Sequence, residues 1–179
     1  MNLDALILDV DGTMADTEEA HRTAFNLAFE RHRLGWKWGR GEYRELLKTN
    51  GGKERIAVFI AQLDVSPAER QRLLARLPAI HAEKTKFYSS FVHDRAVPLR
   101  EGVERLLDEA VAAGLRLGIA STTTAVNVDA LLRSTLGPRG LTLFSAIACG
   151  DQVRAKKPAP DIYQLALKHL GLDPERAIA

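Results

Sequence analysis

The sequence of 179 residues predicts an α/β fold, in which a parallel β-sheet core carries an inserted α-helical domain. Residues 3–10 form a run that is apolar on both faces, as strands of a parallel sheet usually are. Residues 95–179 alternate between strand and helix patterns, which is typical of α/β proteins. Residues 17–94 show helical periodicity and no convincing strand. We therefore expect a core of residues 1–16 and 95–179, interrupted by a helical domain of residues 17–94.

Each element of the core has its own local signal. After residues 3–10, strands are predicted at 115–120, directly after Gly114, and at 145–149, directly before Gly150. Helices are predicted at 102–113, 124–136 and 161–170. In the inserted domain, Ser-Pro-Ala-Glu at residues 66–69 is a capping box with proline at the first helical position, which predicts a helix start.

The composition argues against several classes of protein. The net charge is +2, and no apolar run approaches the roughly 20 residues of a membrane span. Cys149 is the single cysteine, so no intramolecular disulfide can form, which fits a reducing cytoplasm. The N-terminal residues do not resemble a signal peptide. We expect a cytoplasmic monomer without nucleic-acid or membrane partners.

Two aspartates lie at the carboxyl end of the first predicted strand. Asp9 and Asp11 are one residue apart, and Gly12 and Thr13 come next. Carboxylates this close repel each other unless a cation or a shared proton compensates them. At the carboxyl end of a strand, where α/β sheets bind ligands, one carboxylate can attack phosphorus and the other can transfer a proton. A polar turn without any activity explains this pattern equally well when it is taken alone.

Two later segments favour a phosphate site. Ser121 and Thr122 follow the second predicted strand and open a helix, so they offer a hydroxyl and free backbone N–H groups to an anion. Alone, such a turn is more often an ordinary helix cap. After the third predicted strand, Lys157 precedes Pro158, and a lysine fixed in this way can place a point charge on a phosphate. Alone, lysines in a loop are usually solvated.

The motifs together resemble those of a known enzyme superfamily. Asp-x-Asp-Gly-Thr at residues 9–13, Ser121, and Lys-Pro-x-Pro-Asp at residues 157–161 resemble motifs one to three of the haloacid dehalogenase superfamily. Their order and spacing cover nearly the whole chain. The helical insertion after the first motif resembles the cap of the beta-phosphoglucomutase-like branch. The resemblance implies a Rossmann-like core with an α-helical cap domain.

The resemblance also assigns roles to residues. It implies that Asp9 is the nucleophile that forms an aspartyl-phosphate, and that Asp11 is the general acid and base. The Asp9 carboxylate and the Asp11 backbone carbonyl would bind Mg²⁺. Ser121, Thr122 and Lys157 would hold the transferring phosphoryl group. Because the dehalogenases lack the second aspartate of motif one, Asp11 favours phosphoryl transfer.

The fourth motif of the superfamily is not found in this sequence. It is an acidic pair that supplies a metal ligand at the end of the next strand, and it should follow just after Ala179. Residues 173–179 resemble a short turn that enters this strand. We therefore expect a core that is truncated at its C-terminus.

A glycine-rich segment of the helical domain bears on the substrate. Asn50 is expected to cap a helix that begins with Gly51, Gly52 and Lys53, whose N–H groups and charge form an anion site. A plain loop between helices is the alternative. The segment resembles the cap of xylulose-1,5-bisphosphate phosphatases from Calvin-cycle operons. That resemblance implies that Lys53 binds a second phosphate and that Glu18 lies over the active site.

The sequence thus predicts a Mg²⁺-dependent phosphatase that acts on a small phosphorylated sugar, such as a sugar bisphosphate, through an aspartyl-phosphate. A sugar phosphomutase of the beta-phosphoglucomutase type is one alternative, although Thr13 stands where those mutases usually carry an aliphatic residue. A non-catalytic remnant that lacks the fourth motif is the alternative from another class.

Overall fold

The computed structural model describes residues 3–95 and 97–179 and confirms the predicted α/β class; Met1, Asn2 and Ala96, which the predicted domains include, lie outside this range. Within the described residues, four strands form one sheet in the order β3-β2-β1-β4, and every neighbouring pair is parallel. The strands are β1 (Ala5–Leu8), β2 (Arg116–Ser121), β3 (Phe144–Cys149) and β4 (Ala177–Ile178).

The helices of the described residues account for most of the remaining chain. They are α1 (Glu18–Arg31), α2 (Arg40–Leu46), α3 (Gly52–Gln62), α4 (Pro67–Arg95), α5 (Val103–Ala112), α6 (Ala125–Leu136), α7 (Arg139–Leu143) and α8 (Asp161–Leu170), with a 3₁₀ turn at Pro174–Arg176. None of them is both long and apolar enough to cross a membrane.

The chain divides into two compact units. The sheet unit comprises the residues up to Glu18 and those from Val92 to the end, and the helical unit is Glu19–Phe91. The boundary at Glu18 falls where the first turn of α1 begins, and the boundary at Val92 falls within the last turn of α4.

The sheet unit packs α8 against a surface of small residues. Ala120, Ala146 and Ala148 on β2 and β3 form a buried cluster with Ile162 and Leu170 of α8. Small side chains let the helix approach the sheet closely, and the burial of its aliphatic residues stabilises the contact. This packing positions the loop between β3 and α8, which carries the predicted lysine.

The strand β1 is shorter than residues 3–10, which the apolar run predicts. Leu3 is 41% exposed, and the ladder with β2 begins at the pair Ala5–Arg116 and ends at the pair Leu8–Ile119. Before the ladder, the Arg176 guanidinium pairs with the Asp4 carboxylate and lowers its pKa, mainly through their hydrogen bond. The ladder ends at Leu8, so the two aspartates come after the strand, just before the chain turns at residues 12–14.

The helical unit has an aromatic core. Phe25, Phe29 and Trp38 are fully buried, and their rings contact one another with centroids 4.7–6.0 Å apart. Stacked, tilted and edge-on ring pairs of this kind add to the free energy gained from burial alone. The core fixes the start of α3, since Ile56 belongs to the same cluster.

The starts of two helices test the sequence predictions. The predicted helix start is confirmed, because α4 begins at Pro67 and the Ser66 hydroxyl accepts a hydrogen bond from the Glu69 N–H at 3.2 Å. The prediction of Asn50 as a helix cap was wrong. Gly51 is the N-cap of α3, with φ 94°, and its carbonyl accepts the first helical bond, from the Arg55 N–H. Glycine adopts this backbone conformation without the steric penalty that asparagine would incur.

Candidate active site

The turn that follows β1 folds back on one carbonyl group. The Val10 carbonyl accepts hydrogen bonds from the N–H groups of Thr13, Met14 and Ala15 at 2.9–3.3 Å. Gly12 has φ 75°, a conformation that favours glycine, and its N–H donates to the Ala15 carbonyl at 2.8 Å. The resulting compact turn holds Asp9 and Asp11 at the carboxyl end of the sheet.

An arginine from a distant part of the chain secures the same turn. The Arg100 guanidinium donates a hydrogen bond to the Gly12 carbonyl at 3.0 Å, and the Arg100 N–H donates to the Met14 carbonyl at 2.8 Å. These two hydrogen bonds tie the turn to Arg100 at two of its residues. Nothing in the sequence pattern marked Arg100 in advance.

Asp9 and Lys157 are brought together. The Lys157 Nζ atom lies 3.3 Å from Asp9 Oδ2, and the other carboxylate oxygen, Oδ1, accepts a hydrogen bond from the Val10 N–H at 2.8 Å. The side chain of Asp9 is 35% exposed, whereas that of Lys157 is 15% exposed. The carboxylate is therefore oriented by one donor on each oxygen and is still accessible to a ligand.

Asp11 is held by a residue that sequence reasoning missed. The Thr17 hydroxyl donates a hydrogen bond to Asp11 Oδ1 at 2.6 Å, and Thr17 is fully buried. A buried hydroxyl that donates to a carboxylate fixes the rotamer of that carboxylate. The only hint in the sequence was that a threonine is the first residue of the predicted insertion.

Ser121 and Thr122 lie at the carboxyl end of β2, next to β1 in the sheet. Ser121 is 1% exposed and pairs with Cys149 across the β2–β3 ladder. Its hydroxyl oxygen accepts a long hydrogen bond, 3.4 Å, from the Thr123 N–H. Both residues therefore lie at the same edge of the sheet as the two aspartates, just before the N-terminus of α6.

The remaining candidate residues lie at helix starts. Glu18 is the first residue of α1, and Gly51, Gly52 and Lys53 form the cap and first turn of α3. Lys53 is exposed. Arg55, two residues later, is buried, and its guanidinium donates to the Tyr43 hydroxyl and to two backbone carbonyls. Of the two cations in this segment, Lys53 is thus the one directed to solvent.

Cys149 ends β3 close to these residues but does not qualify as a nucleophile. Burial is the main cause that raises the pKa of its thiol to about 12, and the nearby negative charge of Asp151 is the smaller cause. The thiol therefore stays protonated near neutral pH, and thiolates rather than thiols are the reactive species. The chemistry of the site must rest on its oxygen and nitrogen groups.

The oxygen groups of the turn fit a magnesium ion. Mg²⁺ prefers hard oxygen ligands and is commonly held by one or two carboxylates together with waters and substrate phosphates. The partly exposed Asp9 carboxylate and the Asp11 backbone carbonyl are donors of this kind. Among residues 3–95 and 97–179, no group of three or more His, Cys, Asp or Glu side chains is placed to hold a metal ion.

Known proteins share this sequence and architecture. The model of a family described as haloacid dehalogenase-like hydrolases matches residues 6–179. CbbY from Rhodobacter capsulatus is 47% identical over 179 residues, which are 100% of this chain and 77% of that protein. The crystal structure of CbbY from Rhodobacter sphaeroides in complex with phosphate has a TM-score of 0.90 and 45% identity, and covers 99% of this chain and 76% of that one.

A second crystal structure of the Rhodobacter sphaeroides protein contains a sugar bisphosphate. It is a substituted form of CbbY in complex with xylulose-(1,5)-bisphosphate, with a TM-score of 0.89 and 45% identity, and it covers the same shares of the two chains. The similarity therefore extends over both units of this chain.

Proposed function

The chain belongs to the haloacid dehalogenase-like hydrolase family and is a phosphatase of sugar phosphates, and on this premise we propose that it hydrolyses a sugar bisphosphate through an aspartyl-phosphate on Asp9. The observation that carries the proposal is the ion pair between Asp9 Oδ2 and Lys157 Nζ at 3.3 Å, beside the hydrogen-bonded carboxylate of Asp11. The bisphosphate bound to the relative of known structure supports xylulose 1,5-bisphosphate as the substrate.

In the first half of the reaction, an Asp9 carboxylate oxygen attacks the phosphorus atom, and the bond from phosphorus to the sugar oxygen breaks. Asp11, in its protonated form, donates its proton to the departing sugar oxygen. Lys157 and Ser121 stabilise the charge that builds on the phosphoryl oxygens. A bound Mg²⁺ would supply further charge neutralisation at these oxygens.

In the second half, the Asp11 carboxylate takes a proton from a water molecule, which attacks the phosphorus of the aspartyl-phosphate. Inorganic phosphate leaves and the Asp9 carboxylate is restored. Asp11 ends protonated, as it began, so protons balance over the cycle. The Thr17 hydrogen bond keeps the Asp11 carboxylate in one orientation during both transfers.

The direct test is release of inorganic phosphate from xylulose 1,5-bisphosphate, with and without Mg²⁺, by the purified protein. We expect one equivalent of phosphate per substrate molecule. Formation of a hexose phosphate isomer from β-glucose 1-phosphate, with no phosphate released, would instead identify a phosphomutase. Absence of turnover with every phosphorylated sugar tested would support the non-catalytic alternative.

Replacement of Thr17 by valine should lower kcat by about tenfold, because a charge-assisted hydrogen bond to Asp11 is lost while the buried volume is kept. The loss should be larger for a sugar phosphate than for para-nitrophenyl phosphate, whose leaving group needs less help from an acid. Steady-state kinetics with both substrates measure this difference.

The Thr17→Ser variant is the matched control, since it keeps the hydroxyl and should retain activity. An equal loss with both substrates in Thr17→Val would contradict the positioning of a proton donor by Thr17.

We further propose that the start of α3 binds the second phosphate of the substrate through Lys53 and the N–H groups of Gly51 and Gly52. The Lys53→Ala variant should then raise KM for the bisphosphate by about ten- to a hundredfold and change KM for a small monophosphate little. Lys86→Ala, which removes another exposed lysine of the helical unit, controls for the change in net charge.

A parallel rise in KM for both substrates in Lys53→Ala would show that Lys53 does not distinguish a second phosphate. An equal rise in KM for the bisphosphate in Lys86→Ala would show that the effect of Lys53→Ala comes only from the change in net charge.

A further inference from the structure

The Lys157 ammonium has a second partner besides Asp9. The ring centroid of Tyr163, on the first turn of α8, lies 5.0 Å from Lys157 Nζ. A cation within about 6 Å of an aromatic face is attracted by the negative charge density of that face. The same nitrogen atom is therefore held between a carboxylate and a ring.

The ring is itself fixed by its surroundings. Tyr163 is half-buried and packs against the cluster that joins α8 to the sheet, in which Ile162 and Ala166 are fully buried. Its backbone N–H donates to the Pro160 carbonyl at 3.0 Å, which closes the first turn of the helix. The position of the ring is thus set by the core and not by the charged groups of the site.

This distinction matters during turnover. The ion pair with Asp9 changes in each cycle, because the Asp9 carboxylate loses its charge when it forms an acyl phosphate. A lysine side chain has four rotatable bonds, so it can move away when its partner changes. The contact with the ring does not change, and with the lysine only 15% exposed, water screens it little.

We propose that Tyr163 is a positioning residue of the reaction, whose ring keeps the Lys157 ammonium directed at the phosphoryl group while the charge on Asp9 changes. This inference rests on the proposed function, since it requires that Lys157 binds the transferring phosphoryl group. It assigns the role to the aromatic face and not to the hydroxyl.

The test compares side chains that do and do not carry a ring. Tyr163→Leu, with Tyr163→Met as a second apolar replacement, should lower kcat/KM for the phosphorylated sugar by about three- to tenfold. Tyr163→Phe keeps the ring and should stay within about twofold of the wild type. Leu167→Ala, which alters packing against the same cluster, should lower Tm without lowering kcat/KM.

A double-mutant cycle with Lys157→Met separates positioning from general stability. If the ring acts through Lys157, Tyr163→Leu should change the residual activity of Lys157→Met by less than about twofold. Equal losses in Tyr163→Phe and Tyr163→Leu, or an undiminished effect of Tyr163→Leu in the Lys157→Met background, would overturn the inference. Full activity of Lys157→Met would instead overturn the proposed role of Lys157, so the two failures are distinguishable.

Discussion

The Asp9→Asn variant should lose at least about 10³-fold in kcat while it keeps its fold. An amide oxygen is a poor nucleophile, so no acyl phosphate can form on this side chain. The fold should persist because asparagine has the same shape and its Oδ1 can still accept the hydrogen bond from the Val10 N–H, which is 2.8 Å long in the wild type. Phosphate release and the Tm of each purified variant measure the two effects.

Asp11→Asn is the matched variant for this experiment. It removes the proposed acid and base but leaves the nucleophile, so turnover should slow by about 10² or more. In a rapid-quench experiment, Asp11→Asn should still form a phosphoryl-enzyme, whereas Asp9→Asn should form none. Activity of Asp9→Asn above a few percent of the wild type, or a phosphoryl-enzyme in that variant, would contradict the assignment.

The largest expected effect on stability comes from Gly150→Ala. A Cβ atom at this position would lie 2.6 Å from the Thr122 carbonyl carbon and 3.0 Å from Thr122 Cα, and would overlap the carbonyl oxygen. The obstacle is backbone, which cannot rotate away as a side chain can. The Gly150 N–H also donates to the Thr123 carbonyl at 2.8 Å, so the two loops cannot separate without losing that bond.

We expect Gly150→Ala to lower the free energy of unfolding by about 3 kcal/mol or more, and Tm by roughly 6–12 °C. Activity at temperatures well below Tm should fall as well, because one displaced loop begins directly after Ser121 and the other carries Lys157. Thermal unfolding followed by circular dichroism measures the first effect, and phosphate release measures the second.

Gly41→Ala provides the control, since nothing lies within 4 Å of a Cβ at that position and the residue is in α2. There alanine should leave stability unchanged or raise it by up to about 1 kcal/mol. An unchanged Tm in Gly150→Ala would show that the backbone at Thr122 can move aside for a Cβ atom at position 150 without loss of stability.

Local chemistry explains what could be predicted from the sequence. The apolar run into Asp9 predicted a strand with chemistry at its end, and β1 confirms the strand. The helix predicted at residues 161–170 has the same bounds in the structure, and the capping box correctly marked the start of α4. Such signals depend on residues a few positions apart, so the sequence alone carries them. The roles of the aspartates and of Lys157 stay predictions until the variants are measured.

Tertiary structure decided the contacts between residues far apart in the chain. The sequence motifs suggested that Asp9 belongs to a phosphate site. Only the fold shows that Lys157, 148 positions later, has its Nζ atom 3.3 Å from a carboxylate oxygen of Asp9. Likewise, only the packed turn after β1 shows that Thr17 orients Asp11, and only the crossing of two loops shows why position 150 must be glycine.

The start of α3 also shows the difference between a local sequence signal and a tertiary contact. Residue preferences favoured Asn50 as the cap, yet Gly51 takes that position, because the aromatic core that buries Ile56 fixes where the helix begins. Preferences for capping residues amount to about 1 kcal/mol, whereas full burial of an isoleucine side chain contributes about 1.5–3 kcal/mol. At this helix start packing outweighs the local signal, and packing is a property of the folded chain and not of a short segment.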